Sequence, residues 1–481
     1  MQRYLQILLA GFKIARARII DKNTWQREFV AQCERLGGVY IKFLQMLAAH
    51  QTTKPLVQGA SSDMIYEQVA YEAIDVAAEL GAAGRHFSGV ATAPFAAGSY
   101  GQVYHATLIN GESVIIKILR PTIRKTLKYD LRFLNLMAIM LGWFTKASMV
   151  DIRAITQEFS RTTSGETDYK REAANGEWLR DYFTKRGTLV IPRSFLEYGS
   201  AHLLVQQYVP GISLAEAMSA QAQGRQIDEV VYQATGSNVW QQLDTMGQEC
   251  LSATLYADYQ MVDPHPGNIR LLPDNKVAMI DFGMISAAPR NRAAFVNMIG
   301  EMVKAYEDRF EPGAFAVAML GFLDMELHDA LQVVARQQSN DYIDSVEKFV
   351  SEYVRMQAGE SLTQHYLIDR QMARLFNHVI NRGNKLGIRI SRENIMLQRS
   401  MNMYLSIVRG IGEKHDGMIH FALLHGIMKQ VYDDALIHGF SHQPMPEMSE
   451  ERAYEVTANW LTLIAEKDRN LYGLIMNGGL A

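Results

Sequence analysis

The chain lacks features that would place it in several common classes. Cysteine occurs only twice in 481 residues, at Cys33 and Cys250, which excludes a disulfide framework and favours a reducing compartment. Neither cysteine stands at a metal-ligand spacing. An excess of charge of one sign is also missing, because 48 Lys and Arg residues against 51 Asp and Glu residues give a formal net charge of -3. We therefore expect no nucleic-acid partner.

A long hydrophobic run is the next absence. No stretch of about 18 or more apolar residues occurs, and the run from Ala314 to Leu323 is too short to cross a bilayer. In residues 1–20, basic residues follow Gly11 and no small-residue cleavage site is present, which favours an amphipathic helix over a signal peptide. The pattern predicts a cytoplasmic protein without a signal peptide or transmembrane helix, in which any membrane contact is peripheral.

What is present is the composition of a folded protein, 48% hydrophobic and 21% charged, arranged in three regions. Residues 1–88 have apolar positions at spacings near 3.6 and predict a helical N-terminal extension. Residues 89–210 contain β-rich runs and predict a small lobe. Residues 211–481 predict a helix-rich lobe that carries the remaining loops and a C-terminal helical extension. The fold class is therefore predicted to be α+β with two lobes.

Turn signals place hairpins within this plan. Asn110-Gly111 joins two β-rich runs and suits the positive φ values of a tight hairpin. A second hairpin is predicted to turn near Gly199-Ser200, after helices that extend to about Arg186. A third is predicted to turn at Pro273-Asp274-Asn275. Everything beyond about Ala287 is predicted to be helical.

A loop of small residues lies between the first β-rich runs. It follows the G-x-G-x-x-G-x-V pattern of kinase phosphate-binding loops, with alanine at the first glycine position. Glycines let backbone N–H groups approach phosphate oxygens closely. If this match stood alone, an ordinary hairpin loop with small residues would explain it. The neighbouring motifs therefore decide between a hairpin loop and a phosphate-binding loop. The residues predicted to contact a nucleotide are Ala96, Ala97, Gly98, Ser99, Gly101 and Val103.

A lysine follows the loop on the next strand. Val114-Ile115-Ile116-Lys117 matches the kinase V-A-I-K strand, so Lys117 is predicted to contact the α- and β-phosphates. Such a lysine needs an acidic partner, and Glu172 on the following helix is the best candidate. A solvated strand lysine and a solvated charged helix face are the alternatives.

The strongest local pattern is Asp263-Pro264-His265-Pro266-Gly267-Asn268, followed by Asp281-Phe282-Gly283. The Asp-x-x-x-x-Asn spacing is that of the kinase catalytic loop, and Asp-Phe-Gly stands in the metal-binding position. In that geometry Asn268 and Asp281 supply oxygen ligands to Mg²⁺, while Asp263 orients or deprotonates an acceptor hydroxyl. Four ordered motifs with kinase spacing therefore predict an ATP and Mg²⁺ site.

On these motifs the sequence resembles the UbiB/AarF family of atypical kinases, called ADCK proteins in animals, over most of residues 30–300. Lys42 and Gln45 match the family's Lys-x-Gly-Gln signature, with Leu44 in place of its glycine, and Glu166-Thr167-Asp168 matches its Glu-x-Asp motif. In the family the first segment folds over the active cleft and contacts the second. The resemblance therefore implies a restricted substrate site, regulated by Lys42, Gln45, Glu166 and Asp168.

The resemblance also implies a protein-kinase-like two-lobed fold and a hinge between the lobes. Gln207-Tyr208-Val209 occupies the hinge position, where backbone groups of Gln207 and Val209 can bind adenine. Family members carry an alanine-rich nucleotide loop, and Gly98 departs from that pattern toward ordinary kinases. Because glycine relaxes a loop, we expect nucleotide binding to be less restrained than in alanine-rich relatives.

Family membership implies a role in quinone, especially ubiquinone, biosynthesis or in lipid homeostasis, through ATP binding and hydrolysis. No Ala-Pro-Glu segment follows Asp-Phe-Gly, which disfavours a peptide-substrate platform and favours a small-molecule or lipid-linked substrate, such as a quinone precursor. Two alternatives stay open. One is an ATP-binding scaffold without phosphoryl transfer, and the other is a conventional protein kinase.

Overall fold

The computed structural model describes most of the chain. The described residues are 2–20, 25–49, 71–98, 100–144, 149–257, 259–261, 263–307, 309, 311–338, 348, 387–415, 419–440 and 447–478. The chain divides into two units. The first unit comprises Met1–Asp181, Ile191–Val209 and Asp281–Met284, and the second comprises Tyr182–Val190, Pro210–Ile280 and Ile285–Ala481.

A five-stranded antiparallel sheet lies in the first unit. Its strands are β1 (Phe87–Val90), β2 (Ala96–Ala97), β3 (Gly101–Leu108), β4 (Ser113–Leu119) and β6 (Leu203–Gln207). The order is β1-β3-β4-β6, with β2 paired to β3. Successive side chains of a strand point to opposite faces, so Val114, Ile116 and Ile118 enter the core from one face of β4.

The hairpin between β3 and β4 confirms the turn predicted at Asn110-Gly111. The N–H of Gly111 donates to the carbonyl of Leu108 at 2.9 Å, and Gly111 has a φ of 84°. Asn110 does not take a positive φ, because the connection between Leu108 and Ser113 is longer than a two-residue turn. Instead, its side chain accepts a hydrogen bond from the N–H of Glu112 at 3.0 Å.

Seven helices begin in the described residues of the first unit. They are α1 (Gln2–Ile20), α2 (Trp25–Leu36), α3 (Val39–Ala49), α4 (Val76–Leu80), α5 (Pro121–Phe144), α6 (Met149–Glu166) and α7 (Tyr169–Arg186), the last of which ends in the second unit. The regular structure in the described part of residues 1–86 is helical, and β1 spans the predicted boundary at residue 88. The helices share a core rich in aromatic side chains, namely Trp25, Phe29, Tyr40, Phe43, Phe133 and Phe159.

The hairpin predicted to turn near Gly199-Ser200 is partly wrong. Its second strand is β6, but its first run is split. Strand β5 (Leu189–Val190) pairs in parallel with a strand of the second unit, whereas isolated bridges join Ser194 to Gln206 and Ser200 to Leu203. The N–H of Ser200 donates to the carbonyl of Leu203 at 2.8 Å, so the turn itself lies where it was predicted. Pro192 lies between the two pieces of the first run, and proline has no N–H to donate to a ladder.

The second unit holds two small sheets. Strands β5, β10 (Val277–Met279), β9 (Ile269–Leu271) and β7 (Ile212–Ser213) form one, and β8 (Tyr259–Met261) pairs with β11 (Ile285–Ala287) in the other. The turn between β9 and β10 confirms the third predicted hairpin. Asp274 and Asn275 have φ values of 58° and 54°, as a type I′ turn requires.

The rest of the second unit is helical in its described part, as predicted beyond Ala287. Its helices are α8 (Leu214–Ala222), α9 (Ile227–Thr235), α10 (Val239–Tyr256), α11 (Arg292–Tyr306), α12 (Pro312–Leu323), α13 (Met325–Gln337), α14 (Arg392–Gly412), α15 (Ile419–Ile437), α16 (Glu450–Lys467) and α17 (Arg469–Gly478). None of the helices within the described ranges combines the length and the apolar character that a membrane crossing requires. The mainly antiparallel sheets and the helices together confirm the predicted α+β class.

Candidate functional site

The ammonium group of Lys117 lies between two carboxylates in the first unit. Its Nζ atom is 2.8 Å from Oε1 of Glu172 and 3.0 Å from Oδ2 of Asp281. Strand β4 supplies the lysine on the face opposite Ile116 and Ile118, and the first turn of α7 supplies Glu172. The structure therefore brings together three of the residues that the sequence predicts for a nucleotide and metal site.

The ammonium group of Lys117 pairs with two carboxylates in this cluster, and the three side chains are buried to different extents. The side chain of Glu172 is 1% exposed, that of Lys117 is 21% exposed and that of Asp281 is 35% exposed. Burial raises the pKa of Glu172 to about 7, although Lys117 acts in the opposite direction. Its second oxygen, Oε2, has no hydrogen-bond partner among the described residues.

The pKa values of the other two groups favour their charged forms. Burial acts to raise the pKa of Asp281, but the charge of Lys117 and the N–H of Gly283, at 3.0 Å, outweigh it and lower that pKa. Burial acts to lower the pKa of Lys117, and the charges of Asp281 and Glu172 raise it well above its usual value. The cluster therefore holds an ionised lysine beside an ionised aspartate.

Tyr169 is a member of this site that the sequence analysis missed. Its ring lies 5.2 Å from the Nζ atom of Lys117, within the range of a cation–π contact. A Cβ atom at Gly101 would collide with its hydroxyl group, so the loop approaches Tyr169 as closely as glycine allows. The i,i+3 spacing from Tyr169 to Glu172 on one helix was the available signal.

The small-residue loop forms a tight turn between β2 and β3. Ala96 pairs with Val103, and the N–H of Gly98 donates to the carbonyl of Gly101 at 2.9 Å. Ala97 pairs next to this turn, while Ser99 lies outside the described residues. The structure thus places the other predicted loop residues in a single hairpin.

Arg120 holds this loop through hydrogen bonds, and the sequence analysis did not predict this role. Its Nε and Nη2 atoms donate to the carbonyl of Gly98 at 3.2 and 3.1 Å. The Arg120 side chain is buried, and its own N–H donates to the carbonyl of Tyr100 at 2.8 Å. A Cβ atom at Gly98 would meet nothing closer than 3.9 Å, so packing does not require glycine there.

Two of the four predicted regulatory residues meet near the loop. Lys42 of α3 forms an ion pair with Glu166 at the end of α6, and its Nζ atom lies 4.6 Å from the ring of Tyr100. A Cβ atom at Gly283 would lie 3.5 Å from the Cα atom of Glu166, so this pair borders the Asp-Phe-Gly segment. The described backbone places Gln45 on α3, but its side chain lies outside the described residues.

Asp168, the fourth regulatory residue, is exposed and caps a helix. Its Oδ1 atom accepts a hydrogen bond from the N–H of Arg171 at 3.2 Å, at the start of α7. This contact orients the helix that carries Tyr169 and Glu172. The structure therefore gives Asp168 a positioning contact at the start of α7, whereas the ion pair of Lys42 is with Glu166.

The predicted hinge has most of its N–H groups engaged. The N–H of Gln207 donates to the carbonyl of Arg193 at 2.8 Å, and that of Tyr208 donates to Ser113 at 3.0 Å. Val209 is buried at the end of the segment. The N–H of Gln207 is therefore engaged within the first unit, and the predicted contacts with adenine are the carbonyl of Gln207 and the backbone of Val209.

Asp263 and Asn268 belong to the second unit. The Nδ2 atom of Asn268 donates to the carbonyl of Asp263 at 3.4 Å, which leaves the Oδ1 atom as its possible cation ligand. The Oδ1 atom of Asp263 is buried without a hydrogen-bond partner in the described part of the chain. His265 accepts a hydrogen bond from the N–H of Gly267 at 3.1 Å, so it stabilises the turn that presents Asn268.

Comparison with known proteins now adds the family. The model of the ABC1 atypical kinase-like domain matches residues 61–311, which is more than half of the chain. The chain belongs to this family. The match confirms the resemblance to UbiB/AarF proteins that the motifs indicated, and it confirms the predicted two-lobed, kinase-like class of fold.

Several relatives are similar at modest identity. The chain is 29% identical over 353 residues to "Protein ACTIVITY OF BC1 COMPLEX KINASE 3, chloroplastic" of Arabidopsis thaliana, which covers 68% of this chain and 46% of the relative. It is 29% identical over 264 residues to "Probable protein kinase UbiB" of Marinobacter nauticus, which covers 52% and 46%. It is 28% identical over 278 residues to the uncharacterized protein sll0005 of Synechocystis sp., which covers 56% and 39%. The chain thus spans less than half the length of these curated relatives.

Proposed function

We propose that the chain binds Mg-ATP and uses it for phosphoryl transfer or hydrolysis. The observation that carries the proposal is the contact of Lys117 with both Glu172 and Asp281, because a solvated strand lysine would need neither partner. In this arrangement Glu172 fixes the side chain of Lys117, and Lys117 is free to turn its remaining donor hydrogen toward phosphate oxygens.

The residues present fit a magnesium ion. Asp281 stays ionised and partly exposed beside Lys117, and the amide nitrogen of Asn268 donates to the carbonyl of Asp263, which leaves the amide oxygen as the atom that can act as a ligand. Hard cations prefer such oxygen ligands. When bound, Mg²⁺ would supply positive charge that offsets the negative charge of the phosphates. In the first unit, Lys117 would hold the α- and β-phosphates and Asp281 would supply an oxygen ligand for the ion. In the second unit, Asn268 would supply an oxygen ligand through its Oδ1 atom.

Asp263 is assigned the acceptor side of the reaction. Its buried Oδ1 atom has no hydrogen-bond partner among the described residues, so it can receive the proton of an acceptor hydroxyl or of water. The carboxylate would orient that hydroxyl and take up its proton as the phosphoryl group transfers. Replacement by asparagine keeps the shape of the side chain and removes its basicity.

A small-molecule or lipid-linked acceptor is our proposal for the substrate class. It is supported by the missing Ala-Pro-Glu segment and by relatives that carry the name UbiB. On this basis we propose a role in quinone biosynthesis or lipid homeostasis, with a quinone precursor or a lipid as the compound to test first.

Three variants of the purified chain test the proposal. Lys117→Met should abolish ATP binding in a fluorescent-nucleotide titration, whereas Asp263→Asn should bind Mg-ATP normally and release no phosphate. The matched control is Lys276→Met, because Lys276 is an exposed lysine on the β9–β10 hairpin. This variant should behave as the wild type. The assay is repeated with lipids and with quinone-precursor analogues added. If the wild type then releases no more phosphate than Asp263→Asn, the proposal of an enzyme is wrong.

The same variants separate an enzyme from an ATP-binding scaffold. A cell that needs this protein should lose its function with either Lys117→Met or Asp263→Asn if phosphoryl transfer matters. Normal function with Asp263→Asn, and loss with Lys117→Met alone, would instead support a scaffold that only binds ATP.

A further inference from the structure

Helix α1 has two apolar faces, and only one of them is covered. Ile7 and Ala10 are buried in the core of the first unit, with Ile14 and Ala17 packed beside them. The opposite side of the helix carries Leu5, Leu8, Leu9 and Phe12, which are 59%, 63%, 46% and 66% exposed. A helix that is apolar all round is normally buried on all sides or lies against lipid.

The exposed side chains form one continuous stripe. Positions 5, 8, 9, 12, 16 and 19 follow the i, i+3, i+4 spacing of a single helical face. Ile19, at 84% exposure, extends the stripe, and Arg16 is an exposed basic residue within it. From Leu5 to Ile19 the stripe is about 21 Å long at roughly 1.5 Å per residue.

The helix is anchored firmly on its other side. Arg3 donates from Nε and Nη2 to the fully buried carboxylate of Asp130 at 3.1 and 3.2 Å. A Cβ atom at Gly11 would lie 3.3 Å from the ring of Phe133 on α5, which shows how closely α1 and α5 approach. The stripe is therefore presented by a packed helix.

Helix α5 continues the same surface with basic residues. Lys125, Lys128, Tyr129 and Arg132 are exposed at positions that share one face of α5. The ring of Tyr129 lies 5.2 Å from that of Tyr4, so the exposed faces of α1 and α5 adjoin there.

The charge of this surface is positive although the whole chain has a formal net charge of -3. The sequence of α1 contains no acidic residue, and the only acidic residue of α5 is Asp130, which is buried beneath Arg3. Apolar side chains flanked by basic residues match the boundary of a bilayer, where acyl chains lie next to anionic headgroups. A partner protein that bound here would need acidic residues around an apolar patch, and no feature of this surface favours such a protein over a membrane.

We propose that α1 and the exposed face of α5 form a docking surface for a membrane that contains anionic phospholipids. The apolar stripe of α1 enters the headgroup and acyl boundary in the plane of the bilayer, and Lys125, Lys128 and Arg132 contact the headgroups. The docking concerns the first unit alone and requires no nucleotide, so it can fail or hold independently of the ATP chemistry.

Vesicle sedimentation tests this surface. The wild type should sediment with vesicles of equal parts phosphatidylcholine and phosphatidylglycerol, and not with phosphatidylcholine alone. Leu8→Glu/Phe12→Glu should weaken binding by about tenfold or more, because it places two charges in the apolar stripe. Lys125→Glu/Lys128→Glu should weaken it by about fivefold per basic residue removed.

Ile437→Glu is the matched control, because Ile437 is 81% exposed on α15 in the second unit. It should bind vesicles as the wild type does, and thermal unfolding should show that all variants fold. Absence of wild-type binding to the anionic vesicles overturns the proposal, as does unchanged binding of Leu8→Glu/Phe12→Glu. A wild-type dimer that this double variant converts to a monomer, without vesicle binding, would assign the stripe to a second copy of the chain and would also overturn it.

Discussion

The two units hold their predicted site residues in different ways. In the first unit Lys117, Glu172 and Asp281 bond to one another, and their pKa values are displaced. In the second unit a backbone turn presents Asn268, and Asp263 keeps a buried oxygen without a hydrogen-bond partner in the described part of the chain. Changes in the first unit should therefore alter stability and pH dependence, whereas changes at Asp263 should alter chemistry alone.

The largest expected effect is that of Lys117→Met. It removes the cation from two carboxylates, one of them 1% exposed, and an uncompensated buried charge costs about 3–5 kcal/mol. We expect the free energy of unfolding in urea to fall by that order, together with the loss of ATP binding. Lys117→Met/Glu172→Gln should recover most of the stability without ATP binding. If Lys117→Met alone were as stable as the wild type, the proposed stabilising role of this charge network would be wrong.

The pH dependence of stability should show Glu172 directly. The folded-state pKa is about 7 and the ordinary value is 4.5, so between these limits the folded chain binds a proton that the unfolded chain has lost. Wild-type stability should therefore fall as the pH rises through this window, by about 3 kcal/mol relative to Glu172→Gln. Urea unfolding of both proteins at a series of pH values measures the difference. Parallel curves would show that Glu172 does not titrate there.

Gly101→Ala should destabilise the first unit by about 1–3 kcal/mol, because the new methyl group collides with the hydroxyl of Tyr169. Removal of that hydroxyl in Gly101→Ala/Tyr169→Phe should recover part of the loss. Gly98→Ala is the control within the same loop, since its methyl group meets only ordinary contacts. Thermal unfolding ranks the three variants, and equal losses at Gly98 and Gly101 would contradict the steric account.

Gly98→Ala also tests the expected departure from alanine-rich relatives. Because the substitution should leave the fold unchanged, any change in ATP affinity or ATPase rate belongs to the loop itself. Unchanged values would show that glycine at this position does not relax nucleotide binding.

The ion pair of Lys42 and Glu166 should contribute less, because the two side chains are 33% and 20% exposed. Partly exposed pairs contribute about 1 kcal/mol or less. A double-mutant cycle with Lys42→Met and Glu166→Gln measures the coupling in urea unfolding. A coupling well above this range would show that the pair belongs to the same tight network as Lys117.

The residues of the site were largely predictable where they belong to motifs that occur in a fixed order along the chain. The pairing of Lys117 with Glu172 was predicted from a strand lysine that needs an acidic partner, with the family resemblance deciding for Glu172. The structure places Glu172 on α7, after two further helices, α5 and α6. Tyr169 and Arg120 were missed because their roles arise from tertiary approach, at Gly101 and at the carbonyl of Gly98, which no local pattern encodes.

The fold shows the same division. Hairpins at Gly111 and at Asp274-Asn275 were predictable because positive φ values select particular residue types. The first part of the run, Leu189–Val190, was assigned to the wrong partner, because Pro192 separates it from the part that bridges to β6 and its own pairing is parallel to β10. Such pairing depends on segments distant in sequence, which alternation of side chains does not specify.

The smallest expected effect on stability is that of Asp263→Asn, and it sharpens the contrast between the units. The Oδ1 atom of Asp263 makes no hydrogen bond with the described residues, so replacement by an amide of the same shape should change the free energy of unfolding by about 1 kcal/mol or less. Phosphate release should nevertheless fall by about 100-fold or more, as expected when a general base is removed. Urea unfolding and phosphate release on one preparation give both values. A stability loss as large as that of Lys117→Met would show that Asp263 belongs to a charge network of its own, and the contrast would fail.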